Sequence, residues 1–247
     1  MGVMASPPRS SAAPSTRPPT ARDRARAEIT AEIMTAAREQ LAEVGPGSLS
    51  LRAIAREVGM VSSAIYRYVP SRDALLTRLI IEAYDAIGAA AEDAQASAAA
   101  APAPEQFRAV WRAIRAWALT NPHQYALIYG SPVPGYRAPV DTVAPATRLP
   151  QVLLNILAAA GADGTIAAPP TVSEAAQQTL DPMVASVPDL DADRSALVAA
   201  ITTWAALFGA ISFELFGHIH NVVASEPESR AAFFDAQIDL VARLVGL

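Results

Sequence analysis

The stretch LSLRAIAREVGMVSSAIYRYVPSRDALL, residues 49–76, places a short amphipathic helix on each side of a glycine. Ser50 is a favourable N-cap for the first of these helices, because its hydroxyl can accept a hydrogen bond from a free N–H of the first turn. Gly59 stands where a helix commonly ends in the left-handed conformation, so a short helix is predicted between the two. One side of that helix is apolar and carries Leu51, Ile54, Ala55 and Val58.

A third helix is predicted beyond the glycine turn, where Ser62 or Ser63 can serve as its N-cap. Ile65 and Val69 lie on the same side of this helix and continue the apolar stripe. Its opposite side carries a hydroxyl, a phenol and a guanidinium group, from Ser63, Tyr66 and Arg67.

Two short helices joined by a tight glycine turn, with polar groups on the free face of the second, match a helix-turn-helix. The second helix of that motif lies in the major groove of DNA, where such groups reach base edges or phosphates. Pro70 ends this helix, and Ser71 caps a long fourth one. The same pattern also fits two ordinary helices whose polar residues face water, and the pattern alone leaves both interpretations open.

The rest of the chain has helical periodicity, interrupted by breaks rich in turn-forming residues, and no run of alternating strands. Met1–Thr20 is rich in Pro, Ser and Ala, and we expect a disordered arm there. Residues 21–70 then form a helix-turn-helix domain, and residues 71–247 form a larger helical body, so the predicted fold class is all-α. Apart from the two short helices, helical runs are expected at about 21–44, 71–100, 104–119, 122–129, 141–160, 173–180, 192–223 and 227–245.

Charge is divided unevenly along the chain. Residues 1–75 carry ten arginines against seven acidic residues, a balance of +3, whereas residues 76–247 have a balance of −8. A basic front part indicates a polyanionic partner for that part.

Composition also bears on the compartment. The chain has no cysteine, and its opening residues lack the continuous apolar segment of a secretory signal. No run is expected to reach the roughly 18 uncharged apolar residues of a membrane span. A soluble cytoplasmic protein, without disulfides and without a membrane partner, is therefore predicted.

Residues 22–87 resemble the DNA-binding domain of TetR/AcrR-type bacterial regulators. The matching positions of the family pattern are Leu49-Ser50, Ile54-Ala55, Gly59-Met60, Ala64-Ile65-Tyr66-Arg67-Tyr68-Val69 and Ser71-Arg72. The resemblance implies base contacts from Arg52, Ser62, Ser63 and Tyr66, and phosphate contacts from Ser50, Arg67, Tyr68 and Arg72. Ala64 replaces a threonine that often contacts phosphate, so we expect a smaller contribution from this position.

The body resembles one C-terminal class of the same family, in Asn121–Tyr136, Ala138–Leu149 and Thr203–His218. The class is named for a Trp-His-Gly signature, whose histidine is replaced here, since Trp204 is followed by Phe208-Gly209. Such bodies bind a small effector and dimerise through their last two helices, so the resemblance implies a ligand-binding and dimerisation domain. Two apolar stripes are expected to form the dimer interface: Trp204, Phe208, Ile211 and Leu215 on one helix, and Phe234, Ile238, Val241 and Val245 on the other. Either stripe could instead belong to the intramolecular core.

Candidates for the effector site are aromatic residues of the inner helices, each of which would also fit an ordinary core. They are Trp111, Trp117, Tyr125, Tyr129 and Phe208.

A metal site is not expected. Glu214 and His218 stand one helical turn apart, but His220 would point about 200° away from His218 on a helix. A solvated or hydrogen-bonded pair is the better interpretation. Neither a catalytic constellation nor a glycine-rich phosphate loop is visible, so no enzyme and no cofactor are predicted.

The sequence thus predicts a homodimeric, sequence-specific regulator that binds double-stranded operator DNA and a small-molecule effector. A repressor that leaves its operator when the effector binds is the leading hypothesis. A transcriptional activator and an effector-independent architectural DNA binder remain alternatives, while an enzyme would need a catalytic constellation in the body.

Overall fold

The computed structural model describes residues 20–168, 170–186 and 193–247, and every regular element in those ranges is helical, as predicted. The expected arm, Met1–Thr20, lies outside the described residues except for Thr20. The α-helices are α1 (Ala21–Val44), α2 (Leu51–Glu57), α3 (Arg72–Ser97), α4 (Ala103–Thr120), α5 (Pro122–Tyr129), α6 (Val143–Ala162), α7 (Glu174–Gln178), α8 (Asp181–Ser186), α9 (Arg194–Leu215) and α10 (Pro227–Ala242).

Two boundaries differ from those predicted. The run expected to reach Val223 ends as α9 at Leu215, because Gly217 adopts a left-handed conformation with φ of 81°. The break expected from Asp181 onward instead opens with α8, since Asp181 and Pro182 suit the first turn of a helix.

We call residues 20–80 the head and the described residues from 81 onward the body. The head core joins α1, α2, the segment after Gly59 and the first half of α3. Its anchors are almost completely inaccessible to solvent: Ile33, Ala37, Leu41, Ile54, Ala55, Ile65, Val69, Leu75 and Leu76.

Polar contacts hold α1 against its neighbours. The Thr20 hydroxyl accepts from the N–H of Asp23, and the Asp23 carboxylate accepts from the N–H of Thr20, which together form a capping box. The hydrogen bonds from Thr20 lower the pKa of Asp23. Farther along α1, the buried Gln40 accepts from the N–H of Ser50 at 2.6 Å, which ties the end of α1 to the start of α2.

The body core is built on the second half of α3, which packs against α4 and α6. A Cβ on Gly88 would lie 2.9 Å from the Cβ of Arg148, so only glycine permits this approach of α6 to α3. Arg148 donates to Asp85 and to Glu92 at 2.7 Å each. These hydrogen bonds raise the pKa of Arg148 and lower the pKa of Glu92.

A row of arginines on α4 connects that helix to α9 and α10. Arg115 makes a two-pronged contact with Glu214 of α9, with N···O distances of 2.7 and 2.6 Å. Both side chains are largely buried, with 14% and 6% of their surface exposed. Two further pairs on the same row are more exposed and join α4 to α10: Arg112–Asp235 and Arg108–Asp239.

The short helix α5 lies between the two cores. Leu127 belongs to the head core, whereas Tyr125 belongs to the body core. Ile128 contacts both cores.

The expectation that no helix would have membrane-span dimensions is wrong. Segments Val140–Ala162 and Arg194–Leu215 are long enough and apolar enough on average, although the first contains Arg148 and the second contains four Ser and Thr residues. Only 28% and 33% of the respective windows is buried within the chain. Length and composition of one or two helices are weak evidence for a membrane, and core helices of soluble proteins meet the same criteria.

Candidate DNA-binding surface and effector cavity

The first helix of the predicted motif forms as expected. Ser50 caps α2, and its hydroxyl accepts from the N–H of Ala53 at 3.4 Å. Arg52 follows on the exposed side of α2, while Ile54 and Ala55 are completely buried. Gly59 ends the helix region with φ of 68°, which explains the preference for glycine at this turn.

The third element differs from the predicted α-helix: the segment after the glycine turn forms a 3-10 helix, Ile65–Arg67. Its N–H groups bond three residues back, from Arg67 to the carbonyl of Ala64 at 3.1 Å and from Tyr68 to that of Ile65 at 2.9 Å. No serine hydroxyl caps it. The tighter winding fits a short segment that is held by buried anchors and followed by Pro70, which disfavours the α conformation before it.

The candidate base-contacting side chains differ in exposure. Ser63 and Tyr66 are exposed, with 46% of the Tyr66 surface accessible, whereas Ser62 is half-buried. Ala64 is also half-buried. Arg67 is exposed beside Tyr66 and, among the residues described, no hydrogen bond or ion pair is found for its guanidinium.

Arg26 of α1 braces this segment from behind, a role that sequence reasoning missed. Its Nη2 donates to the carbonyl of Arg67 at 2.8 Å. Its guanidinium carbon also lies 5.2 Å from the ring centroid of Tyr68, within cation–π range. The half-buried Tyr68 is therefore part of the support as well as a candidate phosphate contact. No spacing rule in the sequence links residues 41 positions apart.

Arg72 is also engaged within the head. Its Nη2 donates to the carbonyls of Pro46 and Gly47 at 2.7 and 2.9 Å. The guanidinium thus fixes the loop between α1 and α2. A phosphate contact from Arg72 would have to share or replace these bonds, so that role stays a prediction.

A cavity of about 420 Å³ lies in the body between α4, α6, α8 and α9. Trp111 is the one residue among the five aromatic candidates that lines it. The full lining is Phe107, Trp111, Pro150, Leu153, Leu154, Leu157, Met183, Leu197, Ala200, Ile201, Thr203, Trp204 and Val245.

The other four aromatic candidates pack beside or behind the cavity wall. Tyr125 is fully buried, and its hydroxyl bonds the carbonyl of Phe208 at 3.1 Å and the hydroxyl of Ser212 at 2.8 Å. Burial raises the pKa of Tyr125, and it raises that of Tyr129 further. Trp117 is half-buried against the body core.

An unbroken row of aromatic contacts runs from the cavity wall to α3. Phe208 lies behind the wall, with its ring centroid 5.4 Å from Trp111 and 5.1 Å from Trp204. It lies 4.2 Å from Tyr129, whose ring meets Tyr84 of α3 edge-on at 6.1 Å. We call these five residues the aromatic row.

The leucine residues that α6 contributes to the cavity wall could not be identified from the sequence. Leu153, Leu154 and Leu157 of α6 follow the same three- and four-residue spacing as a plain core stripe. Periodicity assigns a residue to a helix face but does not say whether the opposite helix fills the space. Trp204 was assigned to a stripe of the last two helices, and the structure places it in this wall.

The stripes expected to mediate dimerisation lie mostly inside the chain. Phe208, Ile211, Phe234 and Ile238 are buried in the body core. Different residues of the last two helices expose large apolar side chains: Ile201, Phe213, Phe216, Phe233 and Leu240.

Of the two alternatives predicted for Glu214 and His218, a solvated or a hydrogen-bonded pair, the hydrogen-bonded pair is wrong, and His218 is exposed. The Glu214 carboxylate is bound by Arg115, and the His218 ring instead lies 5.2 Å from the ring of Phe213. Sequence reasoning considered only neighbours one turn away, whereas the partner lies 99 positions earlier.

Comparison with known proteins agrees with this architecture. The family model for bacterial regulatory proteins of the tetR family matches residues 33–79, and the model of the tetracyclin repressor-like C-terminal domain matches residues 107–241. The HTH-type transcriptional regulator Rv1816 of Mycobacterium tuberculosis is 39% identical over 218 residues, which cover 88% of this chain and 92% of that protein.

This chain belongs to the TetR family. It is a helix-turn-helix, DNA-binding transcriptional regulator, as the sequence pattern predicted. The crystal structure of the regulatory protein SCO4313 superposes with a TM-score of 0.71 at 35% identity, covering 90% of this chain and 98% of that one. The TetR-family regulator PfmR from Thermus thermophilus, at 19% identity and a TM-score of 0.55, covers 85% and 97% and shares the fold.

Proposed function

We propose that this TetR-family protein is a cytoplasmic, homodimeric repressor that leaves a two-fold symmetric operator when a small molecule occupies the body cavity. The aromatic row carries this proposal, because it joins the wall of the cavity to the helix that begins in the head. The alternatives are an activator and an architectural DNA binder that responds to no effector.

The head supplies the groups for reading DNA. Ser63, Tyr66 and Arg52 are exposed and able to meet base edges, while Arg67 and the hydroxyl of Ser50 are placed for phosphates. The 3-10 segment can enter the major groove as a recognition element, since its buried anchors and Arg26 hold it rigidly.

The second copy of the chain is the proposed occupant of the exposed apolar faces of α9 and α10. Phe213 of α9 and Phe216, directly after its last residue, lie three positions apart, and Phe233 and Leu240 lie seven positions apart on α10, so each pair shares one side of its helix region. Neighbouring faces on two long helices can form a self-complementary interface around a two-fold axis. We expect this interface to bury well over the ~1,000 Å² of a biological contact.

The coupling works by population shift. Phe208 touches both tryptophans of the cavity wall and also Tyr129, so an occupant that displaces Trp111 or Trp204 changes the room available to Tyr129. Tyr129 lies against Tyr84 of α3, whose N-terminal half packs in the head core. An effector that prefers the shifted arrangement of α3 would separate the two heads by a distance that no longer fits the operator.

Selection of bound duplexes from a random pool, using the purified full chain, tests the function as a whole. We expect a palindromic consensus, because two heads related by a two-fold axis read two half-sites. An architectural binder would enrich no sequence. Sedimentation at micromolar concentration should give a dimer, and Phe213→Arg should shift it towards monomer while leaving the helical signal of each chain intact.

Repression is tested on the selected operator. The operator placed across a reporter promoter should give lower expression when the protein is present, and a higher level would identify an activator.

A further inference from the structure

The lining of the body cavity defines the chemical class of its occupant. Its walls are hydrocarbon, thioether and indole, and their polar side-chain groups are the hydroxyl of Thr203 and the indole N–H groups of Trp111 and Trp204. The Trp111 N–H is buried and has no hydrogen-bond partner among the described residues, so it can donate to an uncharged acceptor. The Thr203 hydroxyl donates to the carbonyl of Val241 at 3.4 Å, so it is directed to the backbone of α10. No residue of the lining carries a formal charge.

The charged side chains that α4 carries beside the cavity residues are paired. The arginines of α4, Arg108, Arg112 and Arg115, alternate in sequence with the cavity residues Phe107 and Trp111. Their guanidinium groups bind Asp239, Asp235 and Glu214. Among the described residues of the lining, an anionic ligand would therefore find no cation and a cationic one no carboxylate. Burying an unpaired charge is unfavourable because its hydration is lost without compensation.

The rim of the cavity is also apolar. Leu154 of α6 and Ile201 of α9 both line it, and 39% and 48% of their respective surfaces are exposed to solvent. An apolar molecule that enters between α6 and α9 would therefore contact these two apolar side chains first. A volume of about 420 Å³ lies in the range of small-molecule sites.

We propose that the cavity between α4, α6 and α9 binds an uncharged, predominantly apolar small molecule that enters between Leu154 and Ile201. This proposal specifies the chemical class of the effector of the proposed repressor. Ligand binding is argued from the cavity alone, and only the effect of the ligand on operator binding rests on the proposed function. The affinity comes from apolar surface removed from water, so the head group of an amphiphile acts against binding once it is ionised.

The uncharged fluorescent probe N-phenyl-1-naphthylamine tests the site directly, since its emission rises in an apolar environment. We expect saturable binding with one probe per protomer. Three competitors with the same chain then separate head-group charge from chain length: 1-dodecanol, dodecanoate and dodecyltrimethylammonium, all below their micelle-forming concentrations. Dodecanol should displace the probe at a concentration at least tenfold lower than either ion. Equal or stronger displacement by one of the ions would refute the proposed class.

A matched pair of variants locates the site. Ala200 lines the cavity, whereas Ala158 is exposed on α6 and is absent from the lining. Ala200→Phe should fill the cavity and weaken probe binding at least tenfold, while Ala158→Phe should stay within twofold of the unmodified chain. Leu154→Glu places a charge on the exposed rim and should also weaken binding, so the test stands even if Ala200→Phe does not fold. Unchanged affinity in folded Ala200→Phe and in Leu154→Glu would exclude this cavity.

Operator binding separates this proposal from the proposed function. A chain that reads a palindromic operator but fails to bind the probe would overturn the ligand class and leave a DNA-binding regulator. A chain that binds the probe but prefers no DNA sequence would overturn the regulator and leave the ligand site. Release of operator by dodecanol, and not by dodecanoate at the same concentration, supports both.

Discussion

The head and the body bury their apolar side chains differently. In the head, Ile54, Ile65 and Val69 are completely enclosed, and the segments that supply them lie close together in the sequence. In the body, long helices leave a cavity between them and expose large apolar residues such as Phe213 and Leu240. The difference matches the proposed division of work: a surface that reads DNA must keep its shape, whereas a domain that we propose to bind an effector and a second copy must have room to change.

Breaking the buried ion pair of the body should have the largest effect. Arg115→Met would leave the Glu214 carboxylate buried without a partner, and we expect a loss of about 3–5 kcal/mol of unfolding free energy. Chemical denaturation measures it. The double variant with Glu214→Leu should recover most of this loss, since two apolar side chains need no compensation. A double variant no more stable than the single one would contradict this account.

A cavity in the head core should cost about as much or slightly less. Ile65→Ala removes a fully enclosed side chain, and about 2–5 kcal/mol of unfolding free energy should be lost. Because Ile65 anchors the 3-10 segment Ile65–Arg67 in the head core, affinity for DNA should fall as well. Val61→Ala is the matched control, as 72% of the Val61 surface is exposed. If both variants lost equal stability, the contrast between enclosed and exposed positions would be wrong.

The exposed surface of the head should affect DNA binding without affecting stability. Tyr66→Ala should cost about 1–3 kcal/mol per head on the selected operator and far less on random DNA. Arg67→Ala should weaken all duplexes similarly and lower the slope of log affinity against log salt by about one per head. Titrations at several salt concentrations measure both. If Tyr66→Ala changed only the salt slope and Arg67→Ala changed the sequence preference, the 3-10 segment Ile65–Arg67 would have been placed wrongly in the groove.

Arg72 provides a further contrast within the head. Because its guanidinium binds the carbonyls of the loop between α1 and α2, Arg72→Ala should lower thermal stability in addition to any effect on DNA. A change in salt slope with unaltered stability would instead support the phosphate contact implied by the family resemblance.

A smaller effect is expected from the hydroxyl of Tyr125. Tyr125→Phe removes the bonds to Phe208 and Ser212 and should cost about 1–2 kcal/mol of unfolding free energy. Operator affinity and probe affinity should remain within twofold, because Tyr125 lies outside the cavity lining. A selective loss of probe binding at unchanged stability would return Tyr125 to the effector site.

The smallest expected effect concerns the stability of the fold at acidic pH. The hydrogen bond from Arg112 lowers the pKa of Asp235, so this pair stabilises the fold above the ordinary pKa of aspartate. The stabilisation is lost as the pH falls through the lowered pKa of the folded state. Solvent screening keeps the contribution small, since both partners are partly exposed. Asp235→Asn should therefore flatten the loss of thermal stability between about pH 5 and pH 2, and an unchanged acid slope would contradict the assignment.

The sequence predicted the head better than the body for a physical reason. The N-caps Ser50 and Ser71, the glycine turn and the stripe through Ile54 and Ile65 are local signals, and each corresponds to an element of the structure. The N-cap predicted at Ser62 or Ser63 is wrong, since no side chain caps that segment. The 3-10 winding of Ile65–Arg67 was not predicted, because capping preferences do not distinguish it from an α-helix. The bracing by Arg26 was missed as well, since it depends on tertiary contacts.

In the body, every described α-helix except α8 was predicted, but the neighbour that each helix face packs against was not. A stripe such as Phe208, Ile211 and Leu215 fits a core, a cavity or a dimer interface equally well by spacing. The choice depends on which helix lies opposite, and these contacts join distant positions, as in Arg115–Glu214. For this reason, only one of the five candidate effector residues was assigned correctly to the cavity lining, Trp111.

The position of α5 couples the thermal unfolding of the head to that of the body. Leu127 completes the head core, the neighbouring Ile128 touches both cores, and Tyr125 is enclosed in the body. The two domains recognised by separate family models are therefore joined by the packing of α5 into both cores, and they should unfold in a single calorimetric transition. A head excised after residue 80 would lack Leu127 and expose the core surface that it covers, so we expect it to be less stable alone than within the full chain.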